Sequence, residues 1–145
     1  MTSRKSIPFF LMVFFAMHVN MIFTIPSSAQ DKSENVVKVY YFHGEVRCAT
    51  CIKIENLIAD AMDNKFKKLI ASGKLQFKVI NYNEQKNSIY EKKYDLYSQT
   101  LIISRIKNGK ETKWKSAEKI WTLHSNKKKF IDYVASEISD YLKGL

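Results

Sequence analysis

The sequence predicts an α/β domain in which a mixed four-stranded sheet is flanked by helices, in the order βαβαββα. Three observations carry that prediction. Short runs of β-branched and aromatic residues alternate with longer stretches whose apolar residues recur at three- and four-residue steps, the signatures of buried strands and amphipathic helices. Asn108-Gly109 stands between two strand-like runs and suits a tight turn with positive φ, so the last two strands form a hairpin. The length of 145 residues, with 46% hydrophobic and 13% aromatic content, fits one compact domain with a real core.

Each element can be justified in order. Val36 to Phe42 (VVKVYYF) is short, apolar and bounded by Gly44, and reads as a buried strand. From Cys48 to Ala71, Ile54, Leu57, Ile58, Ala61, Phe66, Leu69 and Ile70 fall on one helical face, and Gly73 occupies a C-terminal capping position. Asp63-Asn64 is the expected place for a break in that helix. Leu75 to Tyr82 is the second strand, and a right-handed crossover makes it parallel to the first. Ser88 to Leu96 reads as a short helix. Leu101 to Ile106, the turn Lys107 to Lys110, and Glu111 to Lys115 form the hairpin. Two helical pieces close the chain. The first carries Ile120 and Leu123; the second starts with Ser125 as N-cap and presents Phe130, Val134, Ile138, Tyr141 and Leu142 on one face. Trp114 and Trp121, with Phe130, are expected to fill the core rather than form a ligand platform.

The N-terminal region has a different composition. Arg4 and Lys5 precede an apolar stretch from Ile7 to Ile25, and Ser27-Ser28-Ala29 supplies small residues for a signal peptidase. Residues 1–29 therefore read as a signal peptide, with an uncleaved anchor as the alternative; 30–35 form a polar tether and 36–145 the domain. The expected product is exported and periplasmic, with attachment to the inner membrane as the anchored variant. Once Arg4 and Lys5 are removed, 22 of the 24 basic residues remain against 14 acidic ones, a net charge of +8. Apart from Lys67-Lys68, Lys92-Lys93 and Lys127-Lys128-Lys129 the basic residues are scattered singly, as on solvated helix faces, so no nucleic-acid partner and no bulk membrane insertion after cleavage are expected. No Gly-rich phosphate loop, dinucleotide fingerprint or HExxH zinc site occurs, which argues against nucleotide, nicotinamide and metalloprotease chemistry.

The strand Val39-Tyr40-Tyr41-Phe42 leads into Cys48-Ala49-Thr50-Cys51 at the start of a helix. Farther on come Tyr90 to Leu96, Gln99-Thr100-Leu101-Ile102-Ile103 and Asn108-Gly109-Lys110. In order and spacing the chain from Val36 to Leu142 resembles a thioredoxin-fold domain. More narrowly, YYFHGEVRCATCIKIE, KYDLYSQTLII and KNGKETKWKSAEKIW are similar to a bacterial family described as the nitrophenyl-compound nitroreductase subunit of organoarsenical gene clusters. The first resemblance implies a redox-active disulfide that exchanges with a thiol or disulfide protein partner, with a membrane electron donor as a further partner. The second implies an accessory subunit that passes electrons or binds a soft metal or arsenic(III).

The cysteines carry the chemistry. At spacing i, i+3 on a first helical turn, Cys48 and Cys51 share a face with sulfurs close enough to bridge. The helix dipole and neighbouring Arg47 favour a thiolate at Cys48, the expected nucleophile; Cys51, one turn inside, resolves the mixed disulfide. An inert structural disulfide, or half of a zinc site shared with a second chain, remain the alternatives. His43 could tune the thiols, or complete a three-ligand set with Cys48 and Cys51 for a soft ion; otherwise no cofactor is expected. Where thioredoxins place a cis-proline opposite the cysteines, this chain has Ser98-Gln99-Thr100, for which a trans bond is expected because a non-proline cis bond costs about 2.5–4 kcal/mol. Tyr41 stands near the family's buried acid, so the resemblance implies that this acid is missing here.

Overall fold

A computed structural model describes residues 34–145. The expected signal peptide, residues 1–29, and residues 30–33 of the expected tether lie outside them. The described chain forms strands β1 (Val36–His43), β2 (Leu75–Asn81), β3 (Thr100–Lys107) and β4 (Lys110–Ser116), and helices α1 (Ala49–Ala71), α2 (Ser88–Tyr94), α3 (Ile120–Leu123) and α4 (Lys127–Leu142). The sheet order is β2-β1-β3-β4, with β1 parallel to β2 and antiparallel to β3, and β3 antiparallel to β4. This is the mixed α/β, thioredoxin-like arrangement expected from the sequence.

Because β1 is central, both of its faces are covered, which is why VVKVYYF is apolar without alternation. Val37, Val39 and Tyr41 pack with Leu101 and Ile103 of β3 against Ile54, Ile58 and Met62 of α1 and Phe130, Val134 and Ile138 of α4. Tyr40, Phe42 and Ile102 face the opposite way, onto Tyr94 and Leu96 at the end of α2. The outer strands carry lysines along their length, Lys78 on β2 and Lys110, Lys113 and Lys115 on β4, which discourages edge pairing.

Several boundaries differ from expectation for local reasons. α1 runs without a break through Asp63-Asn64, where the Asn64 amide donates to the Asp60 carbonyl at 2.7 Å and stays within the helix. The α4 cap is Asn126, not Ser125: its side-chain oxygen accepts from the Lys129 amide at 3.0 Å. Trp114 is not core filler. It is 41% exposed on the edge strand β4, edge-on to Tyr94 at 5.1 Å. Trp121 is half-buried against the core, and Phe130 is fully buried. At the far end of the sheet, Arg105 donates to the Tyr141 and Asp140 carbonyls at 2.8 and 3.1 Å, satisfying acceptors that the end of α4 leaves open.

Candidate functional site: a helix-capping disulfide

β1 delivers the chain to the carboxyl end of the sheet, where four residues, Gly44 to Arg47, turn it into α1. That short loop is held from the neighbouring connection. Tyr82 donates its amide to the His43 carbonyl at 3.0 Å, and the Glu45 amide donates to Asn83 Oδ1 at 2.9 Å. Asn81 Nδ2 in turn donates to Glu45 Oε2 at 2.9 Å, while Asn81 Oδ1 accepts from the Asn83 amide at 3.1 Å. Gly44 is buried in this contact. A Cβ there would stand 2.9 Å from Asn83 Oδ1 and would push that oxygen from its place beside the Glu45 amide.

Cys48 is the N-cap of α1 and is exposed; Cys51 lies one turn inside and is 2% exposed. Their sulfurs are joined in a disulfide with Cα atoms 5.0 Å apart. The Cys51 amide points at Cys48 Sγ, 3.1 Å away, so the sulfur accepts one of the N–H groups that the start of a helix leaves without a partner. That donor and the helix dipole would stabilise negative charge on Cys48 once the bond is reduced. The carbonyl of Cys51 accepts from the Tyr41 hydroxyl at 2.9 Å. Tyr41 is fully buried; burial first, and the Glu55 carboxylate second, push its phenol up to about 12, so it remains a donor across neutral pH.

Arg47 does not supply free charge to the thiols. Its guanidinium pairs with Glu55, one helical turn beyond Cys51, and its Nε is buried without a partner. The expected electrostatic help at Cys48 is therefore largely spent on a carboxylate, because a paired cation exerts little net field. His43 donates from Nδ1 to the Gly44 carbonyl at 2.8 Å, which assigns the proton to that nitrogen. The three-ligand set of Cys48, Cys51 and His43 is not assembled in this oxidised form. Among the described residues no three His, Cys, Asp or Glu side chains converge as metal ligands, and the two sulfurs are bonded to each other.

Thr100 pairs with Phe42 across β1 and β3, which brings Gln99 to the same end of the sheet as His43 and the disulfide. No peptide bond among the described residues is cis, so Gln99 takes the expected trans form. Its carbonyl accepts from Trp121 Nε1 at 3.0 Å, and Thr100 Oγ1 donates to the Ser98 carbonyl at 2.8 Å. These bonds hold the segment where a proline would otherwise stiffen it. A cavity of about 240 Å³ lies beside it, lined by Tyr97, Gln99, Thr100 and Trp121 among others.

Glu55, Asn83 and the Trp121 tie were not among the residues singled out from the sequence. Glu55 could have been found, since it follows Cys51 by four residues on the same helix face. The contact between Asn83 and Glu45 spans 38 residues and left no local signal.

No family model matches this chain, and no curated protein matches it. Among solved structures, the chain is similar to Trxlp from Edwardsiella tarda EIB202, at 18% identity and a TM-score of 0.45 over 72% of this chain and 87% of that one. It is also similar to thioredoxin O2 from Arabidopsis thaliana in the oxidized state, at 18% identity and a TM-score of 0.41 over 66% and 76% of the two chains. A third similar structure is that of a malarial protein, at 21% identity and a TM-score of 0.38, covering 56% of this chain and 80% of that one.

Proposed function

We propose that this chain is an exported thiol–disulfide exchange protein that works through Cys48 and Cys51. The observation that carries the reading is the asymmetry of the pair: an exposed sulfur capping a helix and accepting an amide, bonded to a second sulfur that is 2% exposed. A disulfide that only clipped the helix would gain nothing from that difference, and a loop of four residues contributes little by closure.

In the reducing direction, the Cys48 thiolate attacks one sulfur of a partner's disulfide and releases the other as a thiolate. Cys51 then loses its proton and attacks Cys48 Sγ, freeing the second partner thiolate and closing the disulfide seen here. Two electrons pass to the partner; the proton released by Cys51 returns to one of its thiolates, and the other takes its proton from solvent. The oxidising direction is the same sequence reversed, and the partner is a protein thiol or disulfide in either case. A membrane electron donor would restore the dithiol.

Export is supported by the leader ending in Ser27-Ser28-Ala29 and by the preference of lasting disulfides for oxidising compartments. Intact mass of the protein from its native host should correspond to a chain beginning at Gln30 and recovered from the periplasm. Recovery with Met1 retained, in the membrane fraction, would replace that proposal with the anchored form.

The narrower sequence resemblance gives the same dithiol an accessory task, handing electrons to a nitroreductase or, when reduced, holding a soft metal or arsenic(III) between two thiolates. One experiment separates these readings. Cys51→Ser removes the resolving sulfur, so mixed disulfides on Cys48 should accumulate in the native host and be released by reductant for mass spectrometry. Protein partners rich in disulfides support exchange; a nitroreductase among them supports the accessory role. Finding no reductant-sensitive adduct, together with a wild-type disulfide that resists small dithiols, would sink the exchange reading. Anaerobic titration of the reduced protein with arsenite and Cu(I), followed by thiolate absorbance, decides the metal role separately.

A further inference from the structure

Beside the Gln99 cavity lies a second one of about 330 Å³, and the two share a wall made by Tyr97, Thr100, Ser116 and Glu118. The second is lined in addition by Tyr94, Asp95 and Trp114. Two of its three aromatic side chains are open for their size, Tyr97 at 86% and Trp114 at 41% exposed, while Tyr94 is buried behind them. Neither Asp95 nor Glu118 joins an ion pair among the described residues, although basic residues outnumber acidic ones by 24 to 14 in this chain. Two neighbouring lysines already have partners, one of them a ring at the edge of this cleft. Lys93 pairs with Glu111 at 2.7 Å and lies 5.0 Å from the centre of the Tyr94 ring, and Lys119 lies over Tyr133 at 5.9 Å.

Two carboxylates outside any of these ion pairs, lining one cleft with exposed tyrosine and indole rings, form a setting that attracts an organic cation through charge and through the negative ring faces together. The cleft also has a definite relation to the disulfide. Thr100, in its wall, pairs with Phe42, and the chain reaches Cys48 six residues later. An extended polypeptide with a sulfur at Cys48 therefore has this cleft at the same end of the sheet.

We propose that the cleft of Tyr97, Trp114, Asp95 and Glu118 docks an arginine or lysine side chain of the polypeptide whose cysteine exchanges with Cys48. The occupant is peptide-borne, since a cation carried by the exchanging polypeptide at this end of the sheet would gain from both attachments at once. This selectivity rests on the exchange reading above, and it states which disulfide partners are preferred: those with a basic residue close to the reactive cysteine.

The test uses synthetic peptides carrying one cysteine as a mixed disulfide, with a single Arg moved from before to after it, against the same peptides with Gln. Reduced wild-type protein should exchange with the best Arg peptide roughly threefold to tenfold faster than with its Gln counterpart, the range expected of a partly exposed cation–aromatic and carboxylate contact. The ratio should fall toward one in the Asp95→Asn/Glu118→Gln double variant. It should also fall for the wild-type chain as salt is raised to about 0.5 M, a control that needs no variant to fold. Equal rates for Arg and Gln peptides at every position, or a preference that survives both the double variant and salt, would overturn the proposal. Exchange with neither peptide set would instead count against the dithiol reading. The cleft is then judged by binding alone, with Ser replacing Cys in the peptides and indole fluorescence as the readout. There, tighter binding of the Arg peptide supports it, whereas no difference, or equal binding of acetyl-arginine amide, refutes a peptide-docking cleft.

Discussion

At Cys48 and Cys51 the chain separates two identical thiols by one helical turn, and a turn suffices to give them different chemistry. Cys48 caps the helix in solvent and receives the Cys51 amide; Cys51 has 2% of its surface exposed. In reduced protein, alkylation should therefore occur first at Cys48 and proceed near neutral pH, below the ordinary thiol pKa of about 8.5. Peptide mapping after brief labelling checks this, and equal rates at both positions would remove the helix-capping argument. Beneath the pair, Tyr41 donates to the Cys51 carbonyl from a fully buried site. Tyr41→Phe deletes that hydroxyl while keeping the ring, at an expected cost of about 0.5–1.5 kcal/mol in denaturant unfolding. A change within experimental error would mean that the carbonyl finds another donor.

Two clamps act at the level of elements. The first joins the β1–α1 loop to the β2–α2 connection through Asn83, and it needs Gly44 to have no side chain. In Gly44→Ala the new Cβ displaces Asn83 Oδ1 from the Glu45 amide. That amide should then exchange its hydrogen faster, with a loss of about 1 kcal/mol in stability. Unchanged protection at Glu45 would argue against the clamp. The second joins α2 to the hairpin through Glu111, which accepts from Tyr94 at 2.7 Å, is paired with Lys93, and accepts from buried Ser104. Burial alone would raise this carboxyl, but the bonds from Lys93, Ser104 and Tyr94 outweigh it and hold it below the usual carboxylate range. A lowered folded-state pKa means that the clamp stabilises fully above the unfolded value of about 4.3. Its contribution fades as pH drops below that value and is gone once the folded-state pKa has been passed. Plotted against pH, the unfolding midpoint of wild type should show this acid limb, and Glu111→Gln should flatten it. An identical limb in both proteins would assign acid sensitivity to other groups.

For the molecule as a whole, stability resides in the two cores on either side of the sheet rather than in the disulfide, whose cysteines are three residues apart. Chain-entropy arguments allow so short a loop no more than about 2 kcal/mol, so reduction should leave a cooperatively folded protein with a similar dependence on denaturant. Unfolding on reduction would make the disulfide structural after all. The element order, the hairpin at Asn108-Gly109 and the placement of the cysteine pair at a helix start were all legible in the sequence. Each of these follows from short-range rules: periodicity, positive φ at two adjacent residues, and side-chain spacing along one helix. Boundaries governed by competing local caps, such as Asn126 over Ser125, were legible only to within a residue. Tertiary structure alone decided that Arg47 is committed to Glu55, that Trp114 faces solvent, that Gly44 meets Asn83, and that Asp95 and Glu118 line one cleft. The physical reason is that side-chain partnership depends on which surfaces the sheet order and helix packing bring together. A charge or ring carries no mark in the sequence of the residue it will meet across the fold.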